Sequence, residues 1–321
     1  MDQEKHIHHF LPQHYLKGFA CKENGSLIWQ YTRGREYQPG EHKGKYNPCK
    51  MSIPKKAGAI RDYYASTHTD GQPDFNTNEN ELEKKEKPAN PIFTKIRNHQ
   101  MISPQEKRDF SLYLAQMISR VPRQEHRLNI EWQQSMPEML QKISAHLNHL
   151  SARLEATSNL ETEKRNRIHK KIALWRSCYE KYSQGLPILE ARTLMANSKR
   201  IAIFAEDIGK MTWQFFIAQP GTFFVTADNP VFISPTVGIK GDINSELSFP
   251  ISSDVALVAS RHNALPECFV TATARIVKEI NRRAVGLSLQ HAYCKEEAKW
   301  VTDLLNKKTH FFSIVYESLY Y

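Results

Sequence analysis

Five side chains along this chain are suited to acid–base or phosphoryl chemistry: His8, His9, Glu86, Arg120 and Asp228. An imidazole changes charge near neutral pH, and His8-His9 stands directly before a helix start, where the chain turns. Glu79, Glu81, Glu83 and Glu86 crowd one helix start, where most of them favour the helix dipole from a solvated face. Glu83 and Glu86 are three apart and share a face, so either could act as a general base or a metal ligand. Gln116 and Arg120 are four apart on the flank of an apolar stripe, and a continued helix would bring Arg123 and Arg127 into the same row. Such a row suits phosphate or carboxylate, because guanidinium offers a two-pronged donor. Asp228 follows a short strand in Thr226-Ala227-Asp228-Asn229-Pro230, where strand ends often gather ligands. Each has a structural alternative. The histidines could bond to nearby backbone, Arg120 could form a buried ion pair, and Asp228 could make an Asx-type turn before Pro230.

The elements that must position these groups fall into three zones: 1–77 mixed, 78–209 helical, and 210–321 sheet with terminal helices. In the first, Pro12 fits the first turn of a helix, and Leu11, Tyr15, Leu16 and Phe19 repeat at helical spacing. Ser26 to Tyr31 reads as a strand and Pro54 to Tyr64 as a short helix. In the second, Asn78 or Asn80 caps a helix through Glu86, with Pro88 and Pro91 interrupting before Ile92 to Ile96. Ser103-Pro104-Gln105-Glu106 is a capping box with proline at the first helical position. Phe110, Tyr113, Leu114, Met117, Ile118 and Val121 then form a buried stripe, and Pro122 kinks or ends that helix. Polar helices follow over Trp132 to Leu154 and Glu161 to Tyr182, and another over Leu189 to Ile208. In the third, Trp213 to Ala218 and Thr222 to Thr226 read as a hairpin around Gln219-Pro220-Gly221. Val231 to Ser234 and Val255 to Ala259 read as strands, 272–290 and 296–308 as helices, and His310 to Tyr316 as a last strand. The pattern predicts a single α+β domain over 1–321, with a helix-rich middle packed against a small, mainly antiparallel sheet.

Composition narrows the function classes. With 40% hydrophobic and 24% charged residues the chain is globular rather than disordered. No apolar run reaches 18 residues, and the start Met-Asp-Gln-Glu-Lys-His lacks the apolar core of a signal peptide, so a cytoplasmic location is expected. Five widely spaced cysteines form no CxxC pair, which disfavours a cysteine zinc site. The net charge of +10 lies in the first two thirds: residues 1–100 hold 16 Lys+Arg against 12 Asp+Glu, and residues 101–200 hold 17 against 10. Lys164, Arg165, Arg167, Lys170 and Lys171 form a basic helix face. A concentrated basic excess fits RNA, DNA or a phosphorylated small molecule.

Phosphate-loop, dinucleotide, nucleophile-elbow, HExxH and EF-hand signatures are all absent. The His-His-x-x-Pro opening is similar to that of HNH-type nucleases, without their later asparagine and histidine. Arg120 and His126 match the R-x5-H spacing of HEPN ribonucleases, although six helical steps leave them about 120° apart. A broader resemblance runs through the opening HHFLPQHYLKGFA, the ELEKKE and PIFTKI stretches, Gln116-x3-Arg120-x-Pro122 and VTADNPV. In this order they resemble a bacterial family known only as domain of unknown function 4238. The resemblance implies an accessory protein of the variable gene pool, where defence and toxin functions are common. It carries over onto His8, His9, Gln13, Tyr15, Glu86, Gln116, Arg120, Asp228 and Asn229.

From these residues the expectation is a site joining the N-terminal helix, the Glu86 helix, the Arg120 helix and the TADNP strand. Its expected reaction is phosphodiester cleavage by a nuclease-like hydrolase. His8 or His9 would be the base or a metal ligand. Glu86 and Asp228 would hold a divalent ion such as Mg²⁺ or Mn²⁺ or move protons, and Arg120 would stabilise phosphate charge. Gln13, Tyr15, Gln116, Arg123, Arg127 and Asn229 would bind substrate. Two rivals are a non-enzymatic module binding nucleic acid or protein, and an enzyme acting on a nucleotide or other small phosphate.

Overall fold

The computed structural model describes residues 5–21, 27–34, 49–67, 72–183, 199–234, 245–262 and 266–307. The strand expected over His310 to Tyr316, and the part of the expected Leu189 to Ile208 helix before Lys199, lie outside them. The chain divides into two compact units where the sequence suggested one domain: residues 1–123 with 193–321, and residues 124–192.

The first unit begins with β1 (Ile7–His9), α1 (Gln13–Leu16) and a 3-10 turn at Lys17–Phe19. It continues through β2 (Ile28–Thr32), β3 (Cys49–Ser52), β4 (Ala59–Arg61), β5 (Ser66–Thr67) and β6 (Pro73–Asp74). The expected helix over Pro54 to Tyr64 is instead a turn followed by β4, which pairs antiparallel with β1. Gly58 explains the change: its φ is +63°, and a side chain there would run into Leu11.

Next come α2 (Thr77–Glu86), α3 (Ala89–Arg97) and α4 (Pro104–Arg120). The N-terminus of α2 is held by Asp74, whose Oδ1 accepts from the Asn76 and Thr77 N–H groups, both at 3.0 Å, and not by Asn78 or Asn80. The capping box of α4 forms as expected: Ser103 Oγ accepts from Glu106 N at 3.2 Å, and Glu106 Oε2 accepts from Ser103 N at 2.8 Å. At its other end Val121 is extended (ψ 148°), so Pro122 opens a new helix and does not bend the old one.

The second unit contains α5 (Pro122–Ala156), which starts at the last residues of the first unit, and α6 (Thr162–Ser183). The two run as a helical hairpin, with Arg165 Nη1 donating to the Leu154 carbonyl at 3.1 Å and the Trp132 ring tilted against Tyr182 at 5.8 Å.

The chain re-enters the first unit through α7 (Lys199–Gly209) and the strands β7 (Thr212–Ile217), β8 (Thr226–Ala227), β9 (Phe232–Ile233), β10 (Glu246–Pro250), β11 (Val255–Ser260) and β12 (Cys268–Thr271). It then forms α8 (Ala274–Gly286), β13 (His291–Cys294) and α9 (Lys299–Asn306). One sheet has the order β12-β7-β11-β10-β9, antiparallel except for β12 with β7. A second, fully antiparallel, has the order β3-β2-β13-β8. The fold is α+β. The expected hairpin does not form: β7 pairs with β11, while Thr226 and Ala227 join the second sheet beside β13. Between them Phe224 N donates to Ser253 O and Val225 N to the Asn281 side chain, so local bonds carry the chain from one sheet to the other.

Alternation along β7, β10 and β11 gives the five-stranded sheet two apolar faces. Trp213, Phe215, Phe249 and Leu257 face a core shared with Phe93 of α3 and Phe110 and Tyr113 of α4. Phe216, Ala256 and Val258 face Ile276, Val277 and Ile280 of α8. Covered on both sides, β11 reads as the continuous apolar run VALVAS. Each ring so buried contributes about 1.5–3 kcal/mol, enough to fix α4 firmly against the sheet.

Candidate active site

Helical spacing on α4 sets the site. Tyr113, Gln116 and Arg120 stand at i, i+3 and i+7, so they form one row beside the apolar stripe. Because α4 packs by that stripe, the row is carried inward: Tyr113 is 1% exposed, Gln116 4% and Arg120 2%. Arg120 Nε donates to the Phe10 carbonyl at 2.9 Å and Nη1 to Glu86 Oε1, and Tyr64 Oη donates to the Arg120 carbonyl at 3.2 Å. Burial opposes the charge on Arg120, but Glu86 and the Tyr64 and Tyr113 phenols outweigh it and hold the guanidinium protonated. Its Nη2 remains buried without a partner among the described residues.

His14, the second residue of α1, reaches the same place from the N-terminal segment. Its ring meets Phe93 edge-on at 5.2 Å and lies 5.9 Å from the Tyr113 ring. Burial, then the charges of Arg120, Arg97 and Lys17, lower its pKa to about 3, so the imidazole is neutral at physiological pH. Burial likewise pushes the Tyr113 phenol well up, with Glu86 adding to it, so the hydroxyl keeps its proton. Among the described residues, His14 Nε2, Tyr113 Oη and Gln116 Oε1 all lack a partner. With Arg120 Nη2 and the neighbouring Arg97 Nε, five polar atoms are thus left unused in one buried region among the described residues. Buried polar atoms are ordinarily bonded, and leaving one unmade costs about 1–3 kcal/mol.

Supporting groups lie close by. Arg97 Nη2 donates to the carbonyls of His14, Tyr15 and Ile251 at 3.1–3.3 Å, tying α1 to α3 and to the end of β10. Gly18 permits this approach, since a side chain there would fall 2.5 Å from Arg97 Nη2. On α2, Glu79 and Glu86 are seven apart and share a face. Glu79 Oε1 accepts from His9 N at 3.2 Å and lies 3.6 Å from His9 Nδ1, while its Oε2 is buried and unpartnered. His9 Nε2 faces the Lys55 carbonyl at 3.0 Å. Glu83 turns to the surface and pairs with Lys5.

Several residues expected at the site belong to the scaffold. His8 is fully buried: Nδ1 accepts from Tyr64 N at 2.7 Å, and Nε2 faces the carbonyls of Lys5 and Phe75. That pattern fixes the Nε2–H tautomer and leaves no lone pair for a substrate. Tyr15 bonds Thr226 Oγ1 at 2.6 Å, donates to the Pro250 carbonyl at 2.9 Å and stacks on Phe249. Asp228 accepts from the N–H groups of Leu289, Gln290 and His291 at 2.7, 2.6 and 2.7 Å, pinning the turn between α8 and β13. Burial raises its pKa, and those three bonds together with His291 pull against the rise. Asn229 Nδ2 donates to the Leu287 carbonyl, as does Arg123 Nη1. Because Val121 interrupts the helix, the expected arginine row does not exist: Arg127 lies exposed in the second unit beside Glu131 at 3.5 Å, and His126 is also there.

Gln13, the first residue of α1, is half-buried next to His14. Lys164, Arg165, Arg167, Lys170 and Lys171 all lie on α6 in the second unit. Among the described residues, no three His, Cys, Asp or Glu come together in a metal-holding group. His14 and Tyr113 were the residues missed, one within the opening motif and one counted as core. The spacing Tyr113-x2-Gln116-x3-Arg120 was the available signal, since it puts three polar tips in one row beside a buried stripe.

The fold and this row define an α+β protein with a cluster of buried, incompletely bonded polar side chains at its centre. A family model described as "Protein of unknown function (DUF4238)" matches residues 7–302, and the chain belongs to that family. No curated protein and no solved structure matches it. No described helix is long and apolar enough to cross a membrane.

Proposed function

We propose that the protein is a hydrolase that cleaves a phosphoester, with the reacting group held by His14, Tyr113, Gln116 and Arg120. The observation that carries this reading is the group of buried polar atoms on His14, Tyr113, Gln116 and Arg120, with Arg97 Nε beside them, that have no partner among the described residues. Arg120 Nη2 and the Tyr113 hydroxyl suit phosphoryl oxygens, and His14 Nε2 and Gln116 Oε1 suit the two hydrogens of a water molecule. The water oxygen attacks phosphorus and the ester P–O bond breaks. His14 takes the water proton, Tyr113 gives its proton to the departing oxygen, and the His14 imidazolium restores Tyr113. Glu86 keeps Arg120 aimed and charged.

The burial of the row favours a compact substrate such as a nucleotide or a strand end. Within the nuclease reading, the base is then His14 in place of His8, and Asp228 has no part in the reaction. The test incubates the purified protein with an aryl phosphate monoester and diester, nucleotides, and labelled RNA and DNA, each with Mg²⁺, Mn²⁺ or chelator. Hydrolysis that His14→Gln and Tyr113→Phe abolish supports the reading. No hydrolysis of any substrate, or hydrolysis unchanged in both variants, overturns it.

A further inference from the structure

The second unit carries a feature that the buried row does not use. The side of α6 turned to α5 is set by Arg165, Ile172 and Arg176: Arg165 donates to the Leu154 and Thr157 carbonyls, Ile172 is buried, and Arg176 donates to Ser151 Oγ at 3.1 Å. On a regular helix Arg167, Lys170, Lys171 and Leu174 fall on the far side from these, with Trp175 next to them. All five are exposed, Leu174 at 64% and Trp175 at 60%. Among the described residues only a long 3.9 Å ion pair to Glu163 touches this set, at Arg167, and both partners are in solvent, where such a pair is worth little. The helix has seven Lys and Arg against two Glu.

We propose that this face of α6 binds single-stranded nucleic acid, with the cations on phosphates and Trp175 as a stacking platform. The choice of occupant follows from how the groups are mixed. Lys171 lies four residues from both Arg167 and Trp175, and Lys170 four from Leu174, so charge and apolar surface alternate along one face. A membrane-lying helix instead segregates its apolar groups into a continuous stripe opposite the cations. A second copy of this helix would set like charges against each other. Single strands present phosphates and unstacked bases at short, regular intervals, which is the complement of interleaved cations and an aromatic ring. Duplexes hide their base faces and offer Trp175 nothing to stack on. The proposal stands apart from the hydrolase reading, since it concerns a different unit and different residues.

The experiment measures binding of the full chain to labelled 20-nucleotide single-stranded DNA and RNA, and to duplex DNA, across a salt series. Binding should favour single strands and weaken as salt rises. Trp175→Ala should weaken it about tenfold, the loss of one stacked base. Lys170→Gln and Lys171→Gln should each lower the salt slope by about one. Circular dichroism of each exposed-site variant confirms that the helix is retained. The idea is overturned if no single strand binds at low salt, if binding is indifferent to all three substitutions, or if duplex binds equally well and Trp175→Ala leaves both unchanged. It is also overturned if the substitutions instead abolish binding to anionic lipid vesicles or dissociate a dimer on sizing chromatography, with single-strand binding intact.

Discussion

Asp228 and Arg120 are both charged and both buried, yet their surroundings complete them differently. Three backbone N–H groups converge on the Asp228 carboxylate, and each closes part of the turn that joins α8 to β13. Arg120 is anchored by Phe10 and Glu86 but keeps one arm of its guanidinium unbonded, and its helix neighbours Tyr113 and Gln116 share that condition. A polar group whose bonds are all made by its own chain is holding the fold. A cluster whose bonds are collectively unmade is a place where the fold gives up stability, and the proposed function rests on that difference.

This contrast can be broken by substitution. The largest effect should fall on turnover: His14→Gln should cost about 10²-fold in kcat/KM for the phosphoester found to react, the low end for a general base, because an imidazole whose pKa is about 3 is a weak proton acceptor. Asp228→Ala should not act on chemistry directly. It should lower unfolding free energy by about 3–5 kcal/mol in urea titrations, because three N–H groups lose their acceptor. If the soluble, folded fraction of Asp228→Ala is inactive while its stability is unchanged, the assignment of Asp228 to the scaffold fails.

The pH dependence of stability gives a finer test. His14 has a folded pKa of about 3, below the ordinary histidine value near 6.5. Between those values the unfolded chain binds a proton that the folded chain refuses. Stability from this residue is therefore whole above about pH 6.5 and drains away as pH falls toward 3, with a slope of at most about 1.4 kcal/mol per pH unit. His14→Gln should flatten that part of the curve. An unaltered acid limb would mean that His14 is protonated in the folded protein.

The smallest effects distinguish the two kinds of polar residue most sharply. Tyr113→Phe should leave stability unchanged or raise it by about 1 kcal/mol while removing activity, since it deletes a hydroxyl with no partner. Tyr15→Phe, which deletes a hydroxyl bonded to Thr226 and Pro250, should lower stability by about 1 kcal/mol and spare the chemistry. Equal losses for the two tyrosines, read by thermal unfolding, would erase the distinction.

Local rules carried much of the fold. The capping box of α4, its buried stripe from Phe110 to Val121, the helix α6 and the apolar run of β11 were readable, because each is decided by residues within a few positions. By contrast α5, expected from Trp132, starts at Pro122, since a proline at a first helical position opens a helix as readily as it ends one. The other failures share a cause. Thr222 to Thr226 looks like the second arm of a hairpin, but Ser253 and Asn281, distant in sequence, capture its backbone and send it to the other sheet. Pro54 to Tyr64 has helix-like composition, but β1 recruits Ala59–Arg61 as a strand.

The candidate site divides along the same line. Helical periodicity by itself put Tyr113, Gln116 and Arg120 in one row, and the resemblance marked Glu86, Gln116 and Arg120 as positions to watch. Only the tertiary structure decided which polar residues had their bonds made elsewhere. His8 meets Tyr64 and Phe75, Asp228 meets the turn before β13, and Tyr15 meets Thr226 across 211 positions of sequence. Whether a hydrogen bond is complete depends on partners far along the chain, and spacing within one element carries no information about them. The sequence determined which side chains exist and which share a helix face. The packing determined which of them complete their hydrogen bonds within the fold and which do not.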